Sequence, residues 1–364
     1  MAGVLPIGRQ SQHKRVRSIY NAGMMTTARD ETTPSADARL DELRAWLEPH
    51  FGDIQLQPAS ADASFRRYFR IHHGDQSYIV MDAPPEQEDS RPFVDIAARL
   101  AAAGLHVPTV LAQDLDRGFL LLSDLGGTSY LQALDEANAD ELFADAIEAL
   151  ITMQLGAEVR GLPLYDHALL MQELRLFPDW FLESHLDITL SAAETAALET
   201  IFTELVDRAL DQRRVFVHRD YMPRNLMVSR PNPGILDFQD AVAGPVSYDA
   251  ICLFKDAFIS WPQTRVAGWL AQYWQQARMR GVPVPADWQA FQMDLDWMGV
   301  QRHLKVLGIF ARICHRDGKP HYLADTPRFV EYVTQVIPQY PVLAPLGQLF
   351  EERVKPAMSA RAAN

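Results

Sequence analysis

Val215-Phe216-Val217-His218-Arg219-Asp220-Tyr221-Met222-Pro223-Arg224-Asn225, taken with Gly234-Ile235-Leu236-Asp237-Phe238 just beyond it, decides the reading of this chain. Three apolar residues make a short buried strand, and the polar run after them is a loop. Asn225 to Ser229 reads as a second strand, Arg230-Pro231-Asn232-Pro233 as a turn and Gly234 to Phe238 as the return strand. Positions equidistant from such a turn lie side by side. The side chains of Asn225 and Asp237 should therefore converge at the open end of the hairpin, next to the loop that carries Asp220.

A carboxylate, an amide five positions on and a second carboxylate twelve beyond that form a chemical set. Asn225 and Asp237 offer the hard oxygen ligands that Mg2+ prefers, and Mg2+ keeps phosphate oxygens in its shell. Asp220 can take the proton of an acceptor hydroxyl and orient its oxygen for in-line attack on the terminal phosphoryl group of ATP. Alone, His-Arg-Asp is a weak signal, as easily a chance tripeptide with surface acids nearby. The apolar strand, His-x-Asp-x4-Asn, the hairpin and Leu-Asp-Phe together are specific.

Bulk properties narrow the rest. The chain has 364 residues, 48% hydrophobic and 22% charged, the balance of a soluble globular protein with one large domain or two ordinary ones. A net charge of −13 argues against nucleic-acid binding, which needs a basic surface. Two cysteines, Cys252 and Cys314, make neither a disulfide framework nor a metal site and fit a reducing, cytoplasmic setting. No apolar run approaches membrane-spanning length, and no protein partner is evident. Residues 1–36 carry scattered arginines and few large apolar side chains. They read as a disordered extension, with an Arg-rich transit peptide as the alternative and Met24 or Met25 as alternative starts.

The remaining pattern divides in two. Asp37 to His50 is a helix, with Leu40, Leu43, Trp46 and Leu47 at helical spacing. Strands are expected over Phe51–Pro58, Arg67–His72, Ser77–Met81, His106–Ala112 and Gly118–Leu122, with a helix over Arg91–Ala103. From Ser129 on the pattern is helical, over 138–156, 166–186, 191–212, 248–258, 264–280, 287–312 and 327–337. The expected fold class is α+β in two lobes, a small β-rich lobe over 37–124 and a larger helical lobe over 125–345, with a tail over 346–364; the resemblance given next implies the protein-kinase-like form of it.

VFVHRDYMPRNLMV (215–228) and GILDFQDAVAGPVSYDA (234–250) resemble the catalytic region of the aminoglycoside phosphotransferase-like family of small-molecule kinases. The likeness covers roughly residues 40–340. It implies ATP and Mg2+ as cofactors, Asp220 as catalytic base, and Asn225 and Asp237 as magnesium ligands. His218 reads as a structural residue beneath the loop, and Asp249 as an aspartate that braces it. Eleven residues separate Asp237 from Asp249, too few for a protein kinase's activation segment and peptide-docking platform, so a small-molecule acceptor is favoured.

The nucleotide-binding half departs from the family pattern. Residues 61–70, where a phosphate-covering hairpin is expected, have no glycine run but carry Ser64, Arg66, Arg67 and Arg70. These offer a hydroxyl and guanidinium forks to phosphate; an ordinary solvated hairpin is the other reading. The next strand has Met81 where a phosphate-pairing lysine is usual, which leaves Asp95 as a solvent or capping residue. LLLSDLGG (120–127) resembles the family's hinge, with backbone groups of Ser123, Asp124 and Leu125 against adenine.

ASFRRYFR (63–70), YIVMDAPPE (78–86), ELRLFPDWFL (173–182) and MGVQRHLKVLGIFAR (298–312) together look like the bacterial anomeric sugar kinases. Those phosphorylate N-acetylmuramate and N-acetylglucosamine at C1 in cell-wall recycling. On that resemblance Glu173, Arg175, Asp179, Arg224, Arg302 and Lys305 are candidate sugar contacts. Arg302 and Lys305 share a helix face and could meet the lactyl carboxylate, although a solvated or ion-paired basic face explains them equally. Trp180, Trp261, Trp288 and Trp297 read as core. Two alternatives stay open: a kinase for an aminoglycoside or choline-like acceptor, and a nucleotide-binding pseudokinase.

Overall fold

A computed structural model describes residues 36–60 and 65–362. The expectations for residues 1–35 and for Ser64 lie outside that range.

Helix α1 (Ala36–Phe51) is followed by an antiparallel five-stranded sheet in the order β1-β2-β3-β5-β4. Its strands are β1 (Gln57–Ser60), β2 (Arg67–His73), β3 (Gln76–Asp82), β4 (Val110–Asp114) and β5 (Phe119–Ser123), with α2 (Arg91–Ala102) between β3 and β4. Alternation gives the sheet two different faces. Phe69, Ile71, Val80, Phe119 and Leu121 meet Leu43 and Leu47 of α1 on the outer face. Met81, Leu120 and Leu122 turn the other way, into a core shared with α2 and the helical lobe.

Two strands are shorter than their apolar runs suggested. Phe51 closes α1 rather than opening a strand, and His106 pairs as an isolated bridge with Gly234 before β4 begins at Val110.

The helical lobe contains α3 (Tyr130–Ala133), α4 (Ala139–Gly156), α5 (His167–Leu176) and α6 (Ala192–Asp211). Then come β6 (Arg214–Val217), β7 (Leu226–Met227), β8 (Gly234–Ile235) and β9 (Val242–Pro245), followed by α7 (Tyr248–Phe254), α8 (Gln263–Arg280), α9 (Trp288–Asp317) and α10 (Thr326–Val336). The helix read over 166–186 is in fact α5 continued by a π-helical stretch, Phe177–His185. Pro178 has no N–H for the α-helical ladder at this point. Here α9 also passes close: a Cβ placed on Gly308 would come within 2.3 Å of the Leu176 carbonyl oxygen.

Helix α9 runs five residues past the expected end, to Asp317, and stops at Gly318, whose φ of 68° is the left-handed C-terminal conformation. The tail is helical too, and Phe350 stacks on Phe177 with ring centroids 5.7 Å apart. No described helix is long and apolar enough to cross a membrane.

Candidate active site

β6 is buried by Val215, Phe216 and Val217 and pairs antiparallel with β9, so the loop starting at His218 leaves the core at a fixed point. Asp249, in the first turn of α7, grips that loop: His218 N–H donates to its Oδ2 at 2.7 Å and Arg219 N–H to its Oδ1 at 3.0 Å. Burial pushes the Asp249 carboxyl up to about 7, against the pull of those two donors.

His218 is fully buried. Its Nε2 donates to the Leu236 carbonyl at 3.0 Å, and its Nδ1 accepts the Asp220 N–H at 3.3 Å. The imidazole thus ties the loop to the strand preceding Asp237. Burial lowers it to about 4, so it stays neutral over the ordinary pH range.

The hairpin is tighter than read. Only Leu226–Met227 and Gly234–Ile235 pair as strands, with Asn225 on a 3-10 turn before them. Leu236 N–H donates to the Asn225 carbonyl at 2.9 Å, which brings Asn225 beside Asp237. Asn225 Nδ2 donates to the Asp220 carbonyl at 2.9 Å and lies 3.4 Å from Asp237 Oδ2. Asp237 has a left-handed φ of 61°, and Gln239 Nε2 donates to its Oδ1 at 2.8 Å. An amide and a carboxylate side by side are a hard-oxygen donor set of the kind Mg2+ takes together with phosphates.

Arg219, also left-handed with φ of 76°, turns its side chain beneath the loop onto Glu173 of α5. Glu173 is 2% exposed and also meets Lys305 Nζ at 2.9 Å and the Tyr165 hydroxyl. Burial raises the Glu173 carboxyl, but Lys305 and Arg219 outweigh it and hold the group below the usual range. Lys305 Nζ donates to the Tyr248 hydroxyl at 2.9 Å, and Arg302 Nε to Cys252 Sγ at 2.9 Å.

These facts correct three acceptor-side expectations. Glu173 is a buried counter-charge under the loop, because two cations and a hydroxyl surround it. Arg175 is exposed and pairs with Glu199 at 3.5 Å. Asp179 sits on the π-helical stretch, where its carbonyl accepts the Ser184 hydroxyl at 2.8 Å. None of the three lines the cavity in front of Asp220.

That cavity is walled by Asp220, Arg224, Tyr248, Arg302 and Lys305, and by a face of α9 reaching Arg312 and Arg316. A second cavity lies under the sheet, walled by Arg70, Ile79, Ser123, Asp124, Leu125 and Gln132. Arg224, Asn225 and Asp237 belong to both. Arg316 lies beyond the helix expected from apolar periodicity, and Arg312 at its last position, so neither stood out as a wall residue. Tyr248 was passed over as part of a motif.

Strand alternation divides Arg67 from Arg70. Arg67 pairs across from Asp82 on the outer face and bonds to it, with Arg39 of α1 on the same carboxylate at 2.7 Å. It faces away from the nucleotide side, which overturns its assignment to phosphate. Arg70 is on the cleft face, but its fork holds the hinge: Nε to Asp124 Oδ2 at 2.6 Å, and Nη2 to Asp124 Oδ1 at 3.0 Å and to the Gly126 carbonyl at 2.8 Å. Arg66 is 7% exposed and pairs with Glu88 at 3.1 Å. Its charge reaches the segment after Asp237: burial raises the Asp240 carboxyl, and Arg219 and Arg66 oppose that rise. Asp95 forms an exposed i,i+4 pair with Arg99 at 2.9 Å.

Fold and site together define a phosphotransferase. Residues 55–292 match the phosphotransferase enzyme family, and the chain belongs to it. It is 55% identical over 331 residues to an N-acetylmuramate/N-acetylglucosamine kinase of Pseudomonas putida, spanning 88% of this chain and 98% of that one. A kinase of the same description from Pseudomonas aeruginosa is 56% identical over 327 residues, 86% of this chain and 97% of that one. The crystal structure of an ADP-bound aminoglycoside phosphotransferase superposes with a TM-score of 0.56 at 15% identity, covering 83% of this chain and 99% of the other. At that identity it speaks for the two-lobed fold alone.

Proposed function

We propose that this phosphotransferase moves the γ-phosphoryl group of ATP to the anomeric C1 hydroxyl of N-acetylmuramate and N-acetylglucosamine, in the cytoplasmic recycling of cell-wall sugars. The carrying observation is that Asp220 stands in one cavity while Asn225 and Asp237 wall both that cavity and the one under the sheet. The acceptor rests on identity to the sugar kinases across both lobes. A cavity with Arg302, Lys305, Arg312 and Arg316 in its walls also suits an anionic acceptor better than choline or an aminoglycoside.

In this reading adenine lies against the backbone of Ser123, Asp124 and Leu125. Arg66, held by Glu88, takes the part of the lysine that Met81 replaces. The Asn225 amide oxygen and the Asp237 carboxylate would hold Mg2+, which would supply positive charge against the phosphates. Asp220 accepts the C1 hydroxyl proton as the sugar oxygen bonds to the γ-phosphorus. The bond from that phosphorus to the β,γ-bridging oxygen breaks, and ADP and the sugar 1-phosphate result. A hemiacetal hydroxyl is more acidic than an ordinary alcohol, so a single carboxylate suffices.

The test is ADP release from Mg-ATP with N-acetylmuramate, N-acetylglucosamine, choline or kanamycin. Turnover of the two sugars is expected. Turnover of choline or kanamycin alone would overturn the acceptor, and a wild-type rate in Asp220→Ala would overturn the base.

A further inference from the structure

Among the described residues, four aromatic side chains wall the acceptor cavity: Tyr248, Phe258, Phe310 and Tyr322. Their surroundings differ. Tyr248 is 1% exposed, with Lys305 Nζ 5.5 Å over its ring and Tyr165 edge-on to it at 5.2 Å between centroids. Phe310 is buried as well. The Arg224 guanidinium lies 4.9 Å over the Phe258 ring. Tyr322 is half-buried, and its neighbours are rings: Phe310 backs it at 5.2 Å, Phe258 meets it edge-on at 6.4 Å, and the exposed His321 ring lies 4.5 Å away. Tyr322 is thus the wall residue that combines an aromatic ring, partial exposure and an apolar backing.

Its position is fixed from two sides. Gly318 turns the chain out of α9, and a 3-10 segment, Pro320–Asp325, packs back on that helix with Tyr322 in it. Arg328 of α10 then ties this segment to the one that carries Phe258. It bonds to Asp325 at 2.8 Å, to the Ala257 carbonyl, and to the Ser260 hydroxyl oxygen at 2.6 Å. The rings are therefore set in place by contacts outside the cavity. Asp220, Asn225 and Asp237 fall within the stretch 55–292 that matches the phosphotransferase family, whereas Phe310 and Tyr322 lie beyond it. The phosphate chemistry belongs to the shared frame, and this wall of the acceptor cavity does not.

A pyranose with equatorial substituents turns its C–H groups to the two faces of the ring and its hydroxyls to the edge. Such a face packs on an aromatic side chain, while the edge needs polar partners. Asp220 is one such partner in the same cavity. We infer that Tyr322, backed by Phe310, is the platform on which the sugar ring of the acceptor lies with C1 toward Asp220. This rests on the acceptor reading given above. N-acetylmuramate and N-acetylglucosamine share the pyranose and differ only in the O3 substituent, so both depend on Tyr322 alike.

The experiment measures initial rates with each sugar, and with ATP varied in parallel, in wild type, Tyr322→Phe, Tyr322→Leu and Tyr322→Ala. The Leu and Ala variants should each lose about tenfold or more in kcat/KM for either sugar, mainly through the sugar KM, with the KM for ATP within about twofold of wild type. Tyr322→Phe keeps the ring and should stay within about threefold of wild type. Leu refills the apolar space without a ring face, so it separates stacking from packing and stands in for Ala if that variant does not fold. The unchanged KM for ATP reports an intact nucleotide side. A loss under about threefold in the Leu variant, a Phe variant as impaired as Leu, or a fall confined to one of the two sugars overturns the inference and leaves the kinase reading intact. Wild type that phosphorylates neither sugar overturns both.

Discussion

Arg219 and Glu173, 46 positions apart in sequence, form a buried ion pair directly beneath the loop that carries Asp220. Lys305 shares the same carboxylate, so one acid on α5 balances a cation from the loop and another from α9.

Removing that acid leaves two buried cations uncompensated. Glu173→Gln should lose about 3–5 kcal/mol of stability, the range for breaking a buried pair from one side. Urea unfolding checks it: the midpoint should fall with an unchanged m-value. A midpoint shift worth under about 1 kcal/mol would mean that the pair contributes no more than a surface salt bridge.

His218 makes stability depend on acid. Its folded pKa of about 4 lies below the ordinary 6.5, so the unfolded chain binds a proton that the folded chain refuses. The stability is intact above pH 6.5 and lost as pH falls toward 4, by about 3 kcal/mol. Asp249, raised to about 7, has the opposite slope between the ordinary carboxylate range and pH 7. The comparison to make is therefore wild type against His218→Gln: the difference in unfolding free energy should shrink as pH drops from 7 to 4. A constant difference would contradict the assignment.

Asp249 binds two loop N–H groups with one carboxylate, and an amide in its place keeps an acceptor for only one. Asp249→Asn should lose about 2 kcal/mol of loop positioning, roughly 30-fold in kcat. The KM for ATP should change less, because neither Asn225 nor Asp237 bonds to Asp249. Initial-rate kinetics with varied ATP separate the two.

Neighbouring arginines should behave differently. Arg66→Ala, on the proposed reading, should lower kcat/KM for ATP by on the order of 100-fold, as for loss of a donor to transition-state charge. Arg67→Ala should lower the melting temperature through Asp82, which is fully buried, and leave the KM for ATP within about twofold of wild type, since its side chain faces α1. Equal kinetic effects would contradict the placement of Arg67 on the outer face.

Much of this was legible in the sequence where chemistry and local spacing coincide. The hairpin and the convergence of Asn225 with Asp237 follow from residues close in sequence, whereas the bracing by Asp249 came from the family resemblance and is seen in its bonds to the loop. The two-lobed division was readable because the hydrophobic period changes near Ser123. What the sequence hid depends on strand parity and long-range contact. Nothing in the sequence says that Arg67 faces α1 until its pairing with Asp82 is known. Nothing near Glu173 announces Arg219 or Lys305. The end of α9 was set too early because charged residues replace apolar ones at the cavity mouth, and a stripe facing a hollow needs no hydrophobic period.

Gly308 lines neither cavity, yet it sets how closely the helix that walls the one in front of Asp220 packs on the segment behind it. With no Cβ, it lets α9 rest directly on the carbonyl of Leu176, and it sits between Lys305 and Arg312 like a fulcrum. A single methyl group there would lift the whole row of side chains from Arg302 to Arg316 off its seat. The seating of that helix is thus held at a point of backbone contact, by the one residue type that has no side chain.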